Sequence, residues 1–234
     1  MRPSAYFVIA GNLIPLFMSM LGGWDANQIL PLYWAESAIV GFYTIIRILI
    51  AQGPIMKLNR NAEAPEDFTA QNTIPGGPYS SLAMGAKAML CAFFLFHFGA
   101  FMFGHGMFLF GFILQGAQFG PAKVDPMDVS LWLAYLGPLK WALIALFASH
   151  GVSFIMNYVR GGEYRAARPS DLMMRPYSRL MVMHLAILAG AFVAMKIPSE
   201  NAGPALFFFV ILKVVTDVRA HSKEHAAAAA PVRA

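Results

Sequence analysis

The chain has 234 residues, of which 58% are hydrophobic and only 12% charged, against roughly 45–50% and about 25% in soluble domains. A chain of this size has too small an interior to hide so much apolar surface from water, which excludes an ordinary soluble globule. The formal net charge of +5 does not point to nucleic acid. The basic residues sit in loops and at segment ends, as membrane topology requires. The single cysteine, Cys91, lies in an apolar segment and excludes both an intrachain disulfide and a thiolate cluster.

Apolar blocks fall at 5–22, 29–50, 80–114, 130–158, 179–197 and 204–223. A bilayer core needs about 20 residues of helix, so the pattern predicts an all-α, polytopic transmembrane bundle of six spans. Residues 1–225 form one domain in this reading, and the alanine-rich stretch 226–234 is a low-complexity tail. The first block follows Arg2 and resembles a signal peptide, but it lacks an A-x-A site and is interrupted by Asn12 and Pro15. It is therefore read as a retained helix. The loop 51–79, rich in Pro, Gly, Asn and charge, is extramembrane.

The third block is overlong. Residues 82–114 would make a helix of about 50 Å, against a hydrocarbon core of about 30 Å, and Gly104-His105-Gly106 is the expected point of bending. The spans are accordingly placed at 80–103 and 138–158, with Gly137-Pro138 opening the fourth. Gly85, Ala92, Gly99 and Gly106 recur every seven residues and predict a packing seam along the third span. His97 lies away from that seam. Of the 17 Lys and Arg, Lys123, Lys140 and Lys196 fall at one set of segment ends and Lys213 within the last block. The other thirteen, Arg175 and Arg179 among them, fall at the opposite ends. This positive-inside bias predicts that both termini are cytoplasmic.

Ionisable groups inside spans cost about 2.5–3.5 kcal/mol each at the centre and need partners. Glu36, Tyr43, Thr44 and Arg47 share one face of the second span. Glu36 and Arg47 are separated by about 16 Å of helix, so each must pair with another span. By depth, Glu36 is the expected partner of His97. On the fourth span His150, Ser153 and Asn157 form a stripe; on the sixth, Lys213, Asp217 and His221 follow one another. Counted from the inner ends, His150, His184, Asp217 and His221 reach similar depth in the cytoplasmic half. Imidazole and carboxylate make a ligand set for a transition metal, and two histidines suffice for a haem. His97 and His105 are the alternative pair on the outer side, with His105 read as a hinge or rim residue.

Three functions fit these residues. The first is a metal or haem site built from His150, His184, Asp217 and His221. The second is a small transporter or proton-coupled carrier using Glu36, His97, Asn157 and Lys213 as a polar pathway. The third is a structural or assembly subunit that packs on a membrane-protein partner or on a second copy. The reactive-site motifs sought, a nucleophile elbow, a phosphate-binding glycine loop and H-E-x-x-H, do not occur.

The combination LYWAESAIVGFYTIIRIL, FHFGAFMFGHGMF, SHGVSFIMNY with GGEYR, RPYSRLMVMHLAI and LKVVTDVRAHSKEH resembles a family of bacterial integral membrane proteins known only as a domain of unknown function. The resemblance covers most of the chain outside its tail. It implies a multi-span helical protein of the bacterial inner membrane and supplies no activity.

Overall fold

In the computed structural model, residues 26–55, 77–114, 125 and 127–196 are described. The blocks 5–22 and 204–223, the tail, and Lys213, Asp217 and His221 lie outside the described residues. Every regular element among the described residues is helical. Helix α1 spans Ala26–Ile50, and α2 spans Ser81–Phe108 and runs on through a π-helical turn at Leu109–Ile113. Helix α3, Val129–Leu136, passes through a 3-10 turn at Gly137–Leu139 into α4, Lys140–Ser153, which finishes as a π-helix over Phe154–Arg160. A single turn, α5 at Glu163–Ala166, leads into α6, Pro169–Lys196. By length and apolar composition Gln28–Ile50, Ser81–Gly111 and Val129–Arg160 could each cross a membrane.

Helix α1 is the centre, with α2, α4 and α6 packed around it. It is buried around most of its circumference, with Ile29, Leu32 and Ile48 at or near zero exposure, as expected of a helix apolar on all sides. The other helices bury one stripe. On α2 that stripe is Ala83, Lys87, Phe94, Phe98, Met102 and His105, at three- and four-residue steps. Its remaining surface shows Met89, Phe93, Leu95 and Phe96, the last 80% exposed, and α4 shows Trp141 and Ile144. So much large apolar surface pointing outward suits lipid rather than water.

The C-terminus of α1 is closed by side chains from other elements. Tyr158 donates to the Arg47 carbonyl at 2.8 Å, Tyr79 to that of Ile50 at 3.3 Å, and the Lys87 ammonium to those of Leu49 and Pro78 at 3.2 and 2.9 Å. The Leu49 and Ile50 carbonyls lie in the last turn, where helical donors run out, while the Arg47 carbonyl also accepts from the Ala51 N–H at 3.0 Å; Lys87 places its charge at the negative end of the helix dipole. Residues 52–55 continue the joint, with Gln52 and Gly53 donating backbone N–H groups to Tyr164 and Ala167, and Ile55 accepting from Ser170. This fixes the start of α6 beside the end of α1. At the far end, Asp128 caps α3 through the Ser130 N–H at 2.8 Å. The Ser130 hydroxyl and N–H hold the Asp128 carboxyl below the usual carboxylate range.

Three local expectations are corrected. Helix α2 runs straight through Gly104-His105-Gly106, and the irregularity falls later, at Leu109–Ile113. Glycine weakens a helix only modestly, and here the Trp34 and Trp132 rings pack tightly over Gly106. Gly137-Pro138 does not start a helix but forms a 3-10 turn inside one long rod, because Pro138 lacks the N–H that an α-turn would use. Of the predicted seam, only Gly106 is closely packed. A Cβ on Gly85 or Gly99 would meet nothing within 4 Å, and Ala92 is exposed.

Candidate functional site

Glu36 lies on α1 about 21 Å from Ile50 at 1.5 Å per residue. It is 3% exposed, with its carboxylate turned to two other helices. Arg179 of α6 donates from Nη2 to Glu36 Oε1 at 2.6 Å, and His150 Nε2 of α4 is 3.6 Å from that same oxygen. The first contact is a short charge-assisted hydrogen bond. The second is ion-pair distance, beyond a hydrogen bond, and becomes an ion pair when the imidazole carries a proton. Arg179 and His150 keep about a fifth of their side-chain surface open while Glu36 keeps 4%. The acid is thus sealed inside, and Arg179 and His150 connect it to the bundle surface. Tyr43 flanks the site, stacked on His150 at 6.5 Å and donating to the Phe147 carbonyl at 3.0 Å. A Cβ on Gly151 would come 2.7 Å from the Tyr43 hydroxyl, so glycine is what lets α4 approach so closely.

A second polar contact lies farther along α6, about 7.5 Å by helical rise. His184 Nδ1 and His105 Nε2 of α2 are 2.7 Å apart, and His105 Nδ1 is 2.6 Å from the Phe101 carbonyl. That carbonyl can only accept, so His105 carries a hydrogen on Nδ1 and, when neutral, offers Nε2 as an acceptor. His184 must then donate from Nδ1, which leaves its Nε2 as the basic nitrogen of the pair. A proton arriving there can shift the shared hydrogen onto His105 but goes no farther, since the chain ends at a carbonyl. The π-helical turn begins four residues beyond His105, an irregularity frequent at functional sites.

The predicted site residues fall into separate groups. His150 meets Glu36, whereas His184 meets His105, so the two proposed ligands are not brought together; Asp217, His221 and Lys213 lie outside the described residues. His184 had been expected in the inner half of a span starting at residue 179. The helix begins at Pro169, which carries His184 about 15 Å farther from that end and level with His105. His105, expected at a hinge or rim, is 9% exposed in a continuous helix. His97 does not find Glu36. Its Nδ1 is 2.9 Å from the Tyr177 hydroxyl, and its ring lies between Phe93 and Phe101 on the outer side of α2. Asn157 donates to Ser153 at 3.2 Å on its own helix.

This geometry is poorly suited to a metal. Two nitrogens each about 2.0–2.1 Å from a tetrahedral ion stand about 3.3 Å apart, more than the 2.7 Å between His105 and His184. At Glu36 the guanidinium already supplies the positive charge. Among the described residues no three His, Cys, Asp or Glu side chains converge as ligands.

Sequence reasoning missed Arg179, counted among the flanking topology charges, and Lys87. The signal for Arg179 was present in Arg168-Pro169-Ser170-Asp171, where proline in the first turn and an acid after it mark a helix start. Ten residues on from that start, Arg179 is well within the helix. No curated protein and no solved structure matches the chain. One family profile matches residues 1–234 in full, and the chain thereby belongs to a family of unknown function (DUF6498).

Proposed function

We propose that the protein is a proton-handling, multi-pass membrane protein, a small proton-coupled carrier, with six spans and both termini on the cytoplasmic side of a bacterial inner membrane. The observation that carries the reading is Glu36, buried about 15 Å from the start of α1 and about 21 Å from its end by helical rise, and in contact with both Arg179 and His150. An intramembrane acid is expensive, and such groups line ion and proton paths by default.

The chemistry is an exchange of partners. With Glu36 ionised, Arg179 is held and α6 is tied to α1. Protonation of Glu36 removes the charge that holds the guanidinium, and His150, at 3.6 Å, is placed to pass the proton in or take it out. His184, on the same α6, meets His105 of α2 and gives α6 a second polar tie to the bundle. A proton that changes which helices are tied together has the differential interaction that coupling demands. The metal reading needs His150 and His184 to face one another, and each is engaged by a different partner.

The test is proton flux in proteoliposomes loaded with a pH-sensitive dye. A pH step should decay faster with protein than in empty vesicles, and Glu36→Gln should return the rate to that of empty vesicles. Wild-type protein that leaves the decay unchanged would sink the proposal.

A further inference from the structure

The two ends of the bundle differ in charge. Among the described residues, Arg47, Lys87, Arg160, Arg165, Arg168 and Arg175 lie near the Ile50 end, against Glu163 and Asp171. Near the opposite end, among the described residues, Lys140 stands with Asp125 and Asp128. Five of the six cations at the basic end are arginine, the side chain whose planar fork fits a phosphate through two parallel hydrogen bonds.

Two of the six are used by the fold. Lys87 closes α1, and the Arg47 guanidinium lies 5.5 Å over the Tyr158 ring. The other four fall within residues 160–175, where α4 turns through α5 into α6. Arg160, Arg165 and Arg175 are exposed; Arg168 is 37% exposed and 3.9 Å from Asp171 across one helical turn. Such an exposed ion pair is worth little and leaves the guanidinium available. Arg165 rests on Tyr164, its charge 5.7 Å from the ring centroid and its Nε donating to the hydroxyl at 3.4 Å. Tyr79, 54% exposed, stands at the same end. Tyrosines of this kind are favoured at headgroup level.

We propose that this α4–α5–α6 corner binds the phosphate of an anionic phospholipid headgroup, with Arg165, Arg168 and Arg175 as donors and Tyr79 and Tyr164 at the level of the glycerol. Glu163 and Asp171 limit the net charge and favour a single phosphate over a broad anionic surface. The site is independent of the proton chemistry at Glu36.

Native mass spectrometry of the full chain in neutral detergent tests it, with phosphatidylglycerol and phosphatidylcholine offered together. Phosphatidylglycerol should be retained selectively, and R165Q/R168Q/R175Q should weaken that retention by about fivefold per arginine. Lys140→Gln, at the other end, should change nothing. The triple variant should melt in phosphatidylcholine where the wild type does; if it fails to fold, Arg165→Gln alone carries the test, with about a fivefold loss expected. Equal retention of the two lipids, or a Lys140→Gln loss as large as the triple variant's, would overturn the proposal. Displacement of phosphatidylglycerol by excess inorganic phosphate would assign the corner to free phosphate and would also overturn it.

Discussion

Glu36 offers one oxygen to both Arg179 and His150, so the three side chains respond to substitution as a set. Replacing Arg179 by Met would take the 2.6 Å charge-assisted donor from a carboxylate 3% exposed, and breaking a buried pair from one side costs about 3–5 kcal/mol. Adding Glu36→Gln removes the charge that Arg179 balanced, so the double variant should recover most of that loss. Thermal unfolding of the wild type, both single variants and the double variant in one detergent measures the coupling; losses that simply add would show that the pair is energetically idle. The residue scale is also where the sequence was hardest to read. Spacing along one helix showed that Glu36 and Arg47 cannot meet, but which helix supplies a partner depends on packing. Arg179 was counted as a segment-end charge and His97 was paired with Glu36 by depth; a helix start ten residues earlier brings Arg179 to Glu36 and Tyr177 to His97.

At the scale of elements, the three glycines of the predicted seam separate by what lies opposite them. A Cβ on Gly106 would fall 2.6 Å from Trp132 and 3.1 Å from Trp34, and the Trp34 indole is fixed to the Met102 carbonyl at 2.8 Å. Gly106→Ala should therefore cost about 1–3 kcal/mol, as overpacking does. Gly85→Ala and Gly99→Ala, with nothing within 4 Å, should be neutral or gain up to about 1 kcal/mol from helix propensity. Melting temperatures of the three variants check this, and a loss at Gly99 equal to that at Gly106 would restore the seam as a packing face. The helical character of these elements was legible from apolar runs of membrane length. Their boundaries were less so. Pro138 reads equally as a helix start or as a 3-10 turn within a rod, and only the cap at Asp128 with the continuous rod after it decides.

For the whole molecule, an apolar composition and a strongly biased distribution of Lys and Arg already pointed to a helical bundle with one basic end, and the described helices agree with both. What composition could not supply was the grouping of the polar residues. His150 and His184, counted to one depth, fall in two separate contacts because α6 starts early, while Asp217 and His221 lie outside the described residues. The central claim is that Glu36 exchanges a proton rather than remaining a permanent structural ion. Infrared difference spectroscopy of the protein in lipid vesicles, stepped from mildly alkaline to mildly acidic pH, tests this most directly. The account predicts loss of a carboxylate signal and gain of a protonated carboxyl signal, both missing in Glu36→Gln; identical difference spectra for the wild type and Glu36→Gln across the range would contradict it.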